Sequence, residues 1–145
     1  PLRTEADRQA LLEGLQDGTI DAIASDHVPV NPDMKMQPFT QASTGASGIE
    51  VLLCMTLRLV RTDTLSLSRA FELMSRNPAQ ILKIDSGSLK VGMPADLVRI
   101  NPNMSWIIEG RAFKSLSRIT PFEGQPAEGK VTGLWIAGAP VALDQ

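Results

Sequence analysis

Leu11, Leu12 and Leu15 are spaced as the apolar stripe of a helix, and polar residues fill the positions between. Thr4 can cap that helix, with Asp7 three residues later as a short-chain capping-box acid, and the helix runs from Glu5 to about Gln16. Asp17-Gly18-Thr19 stops it. Ile20 to Ala24 is a short apolar run bounded by turn signals and reads as a strand. A long polar loop follows from about His27 to Ser47, rich in Asn, Pro, Ser and Gly. Ser47 or Gly48 starts a second helix, whose residues Ile49, Val51, Leu52, Leu53, Met55, Leu57, Leu59 and Val60 are apolar almost all round. Such a helix is expected to be buried on most sides. Ser66 begins a third helix through Leu73 and Met74, and Asn77-Pro78 restarts the chain as a fourth, short one that ends near Ile84.

The character changes at Asp85-Ser86-Gly87. Turns and a strand at Leu97–Ile100 come next, and further β runs are expected at Ser105–Ile108 and Val131–Ala137. Helix, tight turn and strand make half of a βα repeat. The chain therefore reads as α/β, with residues 1–84 in one region and residues 85–145 in a small β region. A few strands cannot bury both faces unaided, so further strands from outside these residues are expected to complete it. The chain begins with Pro1 rather than Met, and reads as the C-terminal piece of a longer one.

Composition changes this picture little. The 145 residues carry a net charge of −2 and 43% hydrophobic content, which gives no reason to expect nucleic-acid or membrane binding. No run reaches the apolar length that crosses a bilayer, no signal-peptide pattern shows, and a cytoplasmic location is expected. Cys54 is the only cysteine and lies in the apolar helical run. It reads as a buried thiol rather than a nucleophile.

The chemistry concentrates at Ser25-Asp26-His27, where the apolar run ends in a carboxylate and opens into the long loop. Barrel enzymes place their chemistry at the C-terminal ends of parallel strands. An Asp before a loop is also a common turn cap, and the pattern alone leaves both readings of Asp26 open. Loops as long as the one that follows are usually functional or disordered.

Asp17-Gly18-Thr19-Ile20-Asp21-Ala22-Ile23-Ala24-Ser25-Asp26-His27-Val28-Pro29, with Lys35, Pro38-Phe39 and Gly45-Ala46-Ser47-Gly48-Ile49-Glu50, resembles the end of a dihydroorotase. Gly92-Met93-Pro94-Ala95-Asp96-Leu97 is similar to the wider amidohydrolase superfamily, and Thr120-Pro121-Phe122-Glu123-Gly124 to dihydroorotases again. The resemblance implies the C-terminal portion of a (β/α)8 TIM-barrel metal-dependent hydrolase with a small β subdomain. It implies reversible conversion of dihydroorotate and N-carbamoyl-aspartate in pyrimidine biosynthesis, with one or two zinc ions in the intact protein. Asp26 matches the strand-8 aspartate that binds metal and moves the proton. Thr44 and Gly45 match the backbone segment that binds the pyrimidine ring. Val30 stands where the family usually has the histidine that holds the substrate carboxylate, and valine can neither donate a hydrogen bond nor carry charge. His27, the only histidine, matches the less functional histidine beside the aspartate and reads as a structural histidine, with a ligand as the alternative. The other metal-ligand histidines would lie outside this chain. The alternative implied is a non-catalytic homologue that supports aspartate carbamoyltransferase; a homo-oligomer is a further expected assembly.

Overall fold

The computed structural model describes residues 3–143, which divide into two compact units. The first unit takes residues 3–23, 56–101 and 131–143; the second takes residues 24–55 and 102–130.

Helix α1, Glu5–Asp17, opens the first unit as the stripe and cap predict. The Thr4 side chain accepts from the Asp7 amide, and the Asp7 carboxylate accepts from the Thr4 amide in return. Gly18 ends the helix at φ +92°, a conformation that glycine adopts without steric cost. Residues 20–24 form no strand, contrary to the expectation. A strand needs a ladder partner, and none pairs with this stretch among the described residues. Leu15, Leu65 and Leu73 are the buried heart of this unit, with Leu12, Ile20, Ile23, Leu59 and Val60 packed around them.

The helices expected at Ser66 and Asn77 are joined without a break. Helix α4, Leu67–Phe71, passes through a π-turn at Glu72–Arg76 into α5, Asn77–Leu82. Ser66 caps α4 by accepting from the Arg69 amide. The π-turn explains how Pro78 fits inside a continuous helix. Proline has no amide hydrogen and crowds the carbonyl four residues back, and a local i→i+5 turn is one of the adjustments helices make. The Asn77 amide accordingly donates five residues back, to the Glu72 carbonyl.

Helix α3, Leu52–Arg61, is preceded by a 3-10 turn at Ile49–Val51. Val51, Cys54, Thr56 and Leu57 are buried, but Ile49 is exposed, so the run is less enclosed than its composition suggests. The strands expected at Leu97–Ile100 and Ser105–Ile108 are one strand, β1, Leu97–Ile107. Asn101-Pro102-Asn103 does not interrupt it because β1 lies at the edge of a sheet ordered β1-β2-β3, where a missing amide is tolerated. Strand β2 is Pro126–Ile136, and the two-residue β3, Ala139–Pro140, pairs antiparallel with its end, Trp135 opposite Pro140. In the second unit Val51, Cys54, Ile108, Phe113 and Ala127 form the core, with Met55, Trp106 and Phe122 against it. Cys54 is a buried thiol, as expected, and its Sγ donates to the Val51 carbonyl at 3.2 Å. Among the described residues no helix is long and apolar enough to cross a membrane.

Candidate active site

The stretch that leads into Asp26 is held by one face of the α4–α5 helix. Arg69, Leu73 and Asn77 are four apart and share that face. Arg69 Nε donates to the Leu15 carbonyl at 3.0 Å, and its Nη2 to the Ile20 carbonyl at 3.1 Å. The Asn77 side chain donates to the Asp21 carbonyl at 2.9 Å. Leu73 contributes its backbone oxygen. Its usual donor, the Asn77 amide, is spent on Glu72, and Pro78 has none to offer. The freed carbonyl accepts from the Ile23 amide at 3.0 Å. Backbone without a ladder is thus satisfied by two side chains and one helix carbonyl.

The second unit carries Asp26 and the other expected site residues. Asp26 has φ +44°, a left-handed conformation that Asp tolerates better than most residues. Its carboxylate is exposed and has no hydrogen-bond or ion-pair partner among the described residues. The flanking residues are tied down. Val28 donates its amide to the Ala46 carbonyl at 3.0 Å. His27 Nδ1 accepts from the Gly48 amide at 3.1 Å and the Ile49 amide at 3.4 Å. Gly45 and Gly48 permit this closeness. A Cβ on Gly45 would lie 2.7 Å from the Val28 carbonyl oxygen, and one on Gly48 would lie 2.5 Å from that of Ser25. The neighbour that demands glycine at 45 is therefore Val28. Thr44 is exposed and Val30 half-buried.

The long loop has internal order that its composition did not reveal. Asn31 caps a one-turn helix α2, Pro32–Lys35, by accepting from the Asp33 amide. The Ser43 amide then donates back to the Met34 carbonyl. Phe39, 97% exposed, stands on this loop. Glu50 closes the Gly45–Glu50 stretch of the motif. Its two carboxylate oxygens accept from the consecutive amides of Lys114 and Ser115, at 2.9 and 3.0 Å. Ser47 Oγ donates to the Ser117 carbonyl at 2.6 Å instead of capping the helix. The Glu123 carboxylate accepts from the Gly110 amide at 2.7 Å.

No three His, Cys, Asp or Glu side chains gather into a metal-binding group among the described residues. Asp26 is a hard, unpartnered oxygen donor that suits one position on zinc; a tetrahedral site needs three more ligands. His27 points its Nδ1 at backbone amides.

The amidohydrolase family model matches residues 2–141. A dihydroorotase of Desulforapulum autotrophicum is 46% identical over 138 residues, covering 95% of this chain and 32% of that protein. A dihydroorotase of Geobacter sp. strain M21 is 43% identical over the same share of each. The L-hydantoinase of Arthrobacter aurescens superposes with a TM-score of 0.89 at 32% identity, over 98% of this chain and 33% of that structure. The dihydropyrimidinase of Brevibacillus agri superposes with a TM-score of 0.85 at 26% identity, over 97% and 32%. The chain spans about a third of the length of the relatives it matches. With its family model matched over nearly all its length, the chain belongs to the amidohydrolase family.

Proposed function

We propose that these residues are the C-terminal portion of a (β/α)8-barrel, dihydroorotase-type cyclic amide hydrolase. In this reading residues 1–84 supply the last barrel strand, which forms only against partner strands outside these residues, and its flanking helices, and residues 85–145 supply part of a β subdomain. The observation that carries it is 46% identity, over 95% of the chain, to a protein named dihydroorotase. The reaction is the reversible opening of dihydroorotate to N-carbamoyl-aspartate. Zinc, when bound in the intact protein, supplies Lewis acidity at the scissile carbonyl. Asp26 is one of its ligands and the proton carrier: it takes a proton from the attacking water and returns it to the amide nitrogen as the carbon–nitrogen bond breaks. A carboxylate without an internal partner is free for both tasks. The Thr44–Gly45 backbone hydrogen-bonds the pyrimidine ring.

Val30 supports a second reading. It offers no donor for a substrate carboxylate, and the structural neighbours are named hydantoinase and dihydropyrimidinase. A cyclic amide without a carboxylate is the substrate in that case. Steady-state hydrolysis of dihydroorotate and of dihydrouracil by the full-length protein separates the two. Preference for dihydroorotate is expected; turnover of dihydrouracil alone overturns the dihydroorotase assignment. A charge-assisted hydrogen bond is worth roughly 1.5–3 kcal/mol, about 10- to 150-fold in affinity. Val30→His should therefore lower the KM for dihydroorotate within that range and change kcat less, because the contact is made in ground and transition states alike. The non-catalytic alternative, a scaffold for aspartate carbamoyltransferase, gains no support from these relatives, which are named as dihydroorotases.

A further inference from the structure

The 3-10 turn at Ile49–Val51 that leads into α3 starts at Gly48, which has no side chain to cap it. The first amides of a helix have no intrahelical acceptor. Two of them, those of Gly48 and Ile49, meet the same ring nitrogen, His27 Nδ1, reaching across from 21 residues earlier in the chain. An Nδ1 that accepts from two amides carries no proton, so the neutral ring holds its hydrogen on Nε2. His27 thus does for this turn what a serine or asparagine cap does elsewhere.

The consequence falls on Asp26. The Ser25 carbonyl is packed against Gly48, His27 is bonded to Gly48 and Ile49, and Val28 is bonded to Ala46 and packed against Gly45. Residues 25, 27 and 28 are therefore held on one segment, 45–49, and Asp26 stands between them at φ +44°. Its side chain makes no bond of its own among the described residues. Its direction is set by the backbone on either side. The far end of the segment is fixed in turn, because the Glu50 carboxylate accepts from the Lys114 and Ser115 amides.

We propose that His27 is a positioning residue for Asp26, acting through Nδ1 on the Gly48 and Ile49 amides and not as a ligand of metal or substrate. The inference rests on the hydrolase reading of Asp26. It makes a prediction that a ligand or a space-filling histidine would not. Asparagine carries an acceptor oxygen as many bonds from the backbone as Nδ1; glutamine carries its oxygen one bond farther, at the reach of Nε2. His27→Asn should keep the tie, while His27→Gln and His27→Phe should lose it.

The three variants of the full-length protein are compared by steady-state kinetics and by hydrogen exchange at the Gly48 and Ile49 amides. A misplacement on the order of 1 Å near the chemistry costs up to about 100-fold. Glutamine and phenylalanine should lower kcat by about 10- to 100-fold with KM nearly unchanged, and both amides should exchange faster. Asparagine should restore kcat to within a few-fold and restore protection. Asparagine as damaging as phenylalanine, or glutamine better than asparagine, overturns the proposal. So does unaltered exchange in His27→Phe. If the wild type hydrolyses neither dihydroorotate nor dihydrouracil, the hydrolase reading falls separately; the exchange pattern still shows whether Nδ1 forms the tie.

Discussion

Residues 15–23 and residues 24–28 are consecutive, and they are held by opposite means. The first stretch is held by what neighbouring side chains add. Arg69 and Asn77 reach to three backbone carbonyls, and Leu73, wholly buried, fills the core beneath. The second is held by what its neighbours lack. Gly45 and Gly48 have no Cβ, so backbone meets backbone, and His27 ties off the orphan amides. One region should therefore fail when atoms are removed, and the other when atoms are added.

The largest effect is expected at Leu73, which has 0% exposure at the centre of its cluster. Leu73→Ala removes packed methyl groups and leaves a cavity, at a cost of about 2–5 kcal/mol. Chemical denaturation of the full-length protein measures it; a change under about 1 kcal/mol would mean that the cluster closes over the gap. The matched experiment in the second region is Gly48→Ala. One methyl group against the Ser25 carbonyl oxygen must push the backbone aside, and overpacking of this kind costs about 1–3 kcal/mol. A neutral Gly48→Ala would break the comparison, since it would mean that close approach is not what holds the loop.

Arg69 sharpens the first half. Its side chain is 21% exposed, and its fork spans two carbonyls. Arg69→Met leaves both without a donor, and hydrogen bonds to charged groups are worth about 1.5–3 kcal/mol. Arg69→Lys should recover only part of this loss, because one ammonium cannot reproduce the planar fork. Equal stability of Lys and Arg would show that charge alone matters.

The smallest effect belongs to the cap of α1. Thr4→Ala removes the N-cap and should cost about 1 kcal/mol. The partner, Asp7, has its carboxyl held below the ordinary value by the hydrogen bonds from the Thr4 side chain and amide. A group whose pKa is lower folded than unfolded stabilises above its unfolded value, and the contribution disappears as pH falls through the folded one. The Thr4→Ala deficit should therefore shrink when thermal midpoints are measured from pH 6 down to pH 3. A deficit that stays constant would remove Asp7 from the cap.

Much of the first region was legible in the sequence. The leucine spacing, Thr4, Asp7 and Gly18 specify α1 locally, and the structure follows them. The run at 20–24 reads as a strand and forms none, because pairing depends on residues distant in the chain. The π-turn left no mark in composition; Asn77-Pro78 looked like a restart because proline usually breaks a helix. Asn101-Pro102-Asn103 misled in the same way, since an edge position is a property of the sheet. In the second region the glycines were visible and their neighbours were not. The close approach of Gly45 to Val28 shows only in the fold. The task of His27 had one sequence signal, a helix beginning at a glycine that cannot cap itself. The left-handed backbone of Asp26 had none.

In the proposed hydrolase, Asp26 stands free of internal partners because it moves the proton. Asp26→Asn in the full-length protein tests it most directly, with dihydroorotate hydrolysis as the readout. The expected result is a fall in kcat of at least about 100-fold, the low end for losing a general acid–base, with KM changed less. Wild-type turnover in the purified, folded variant would contradict it.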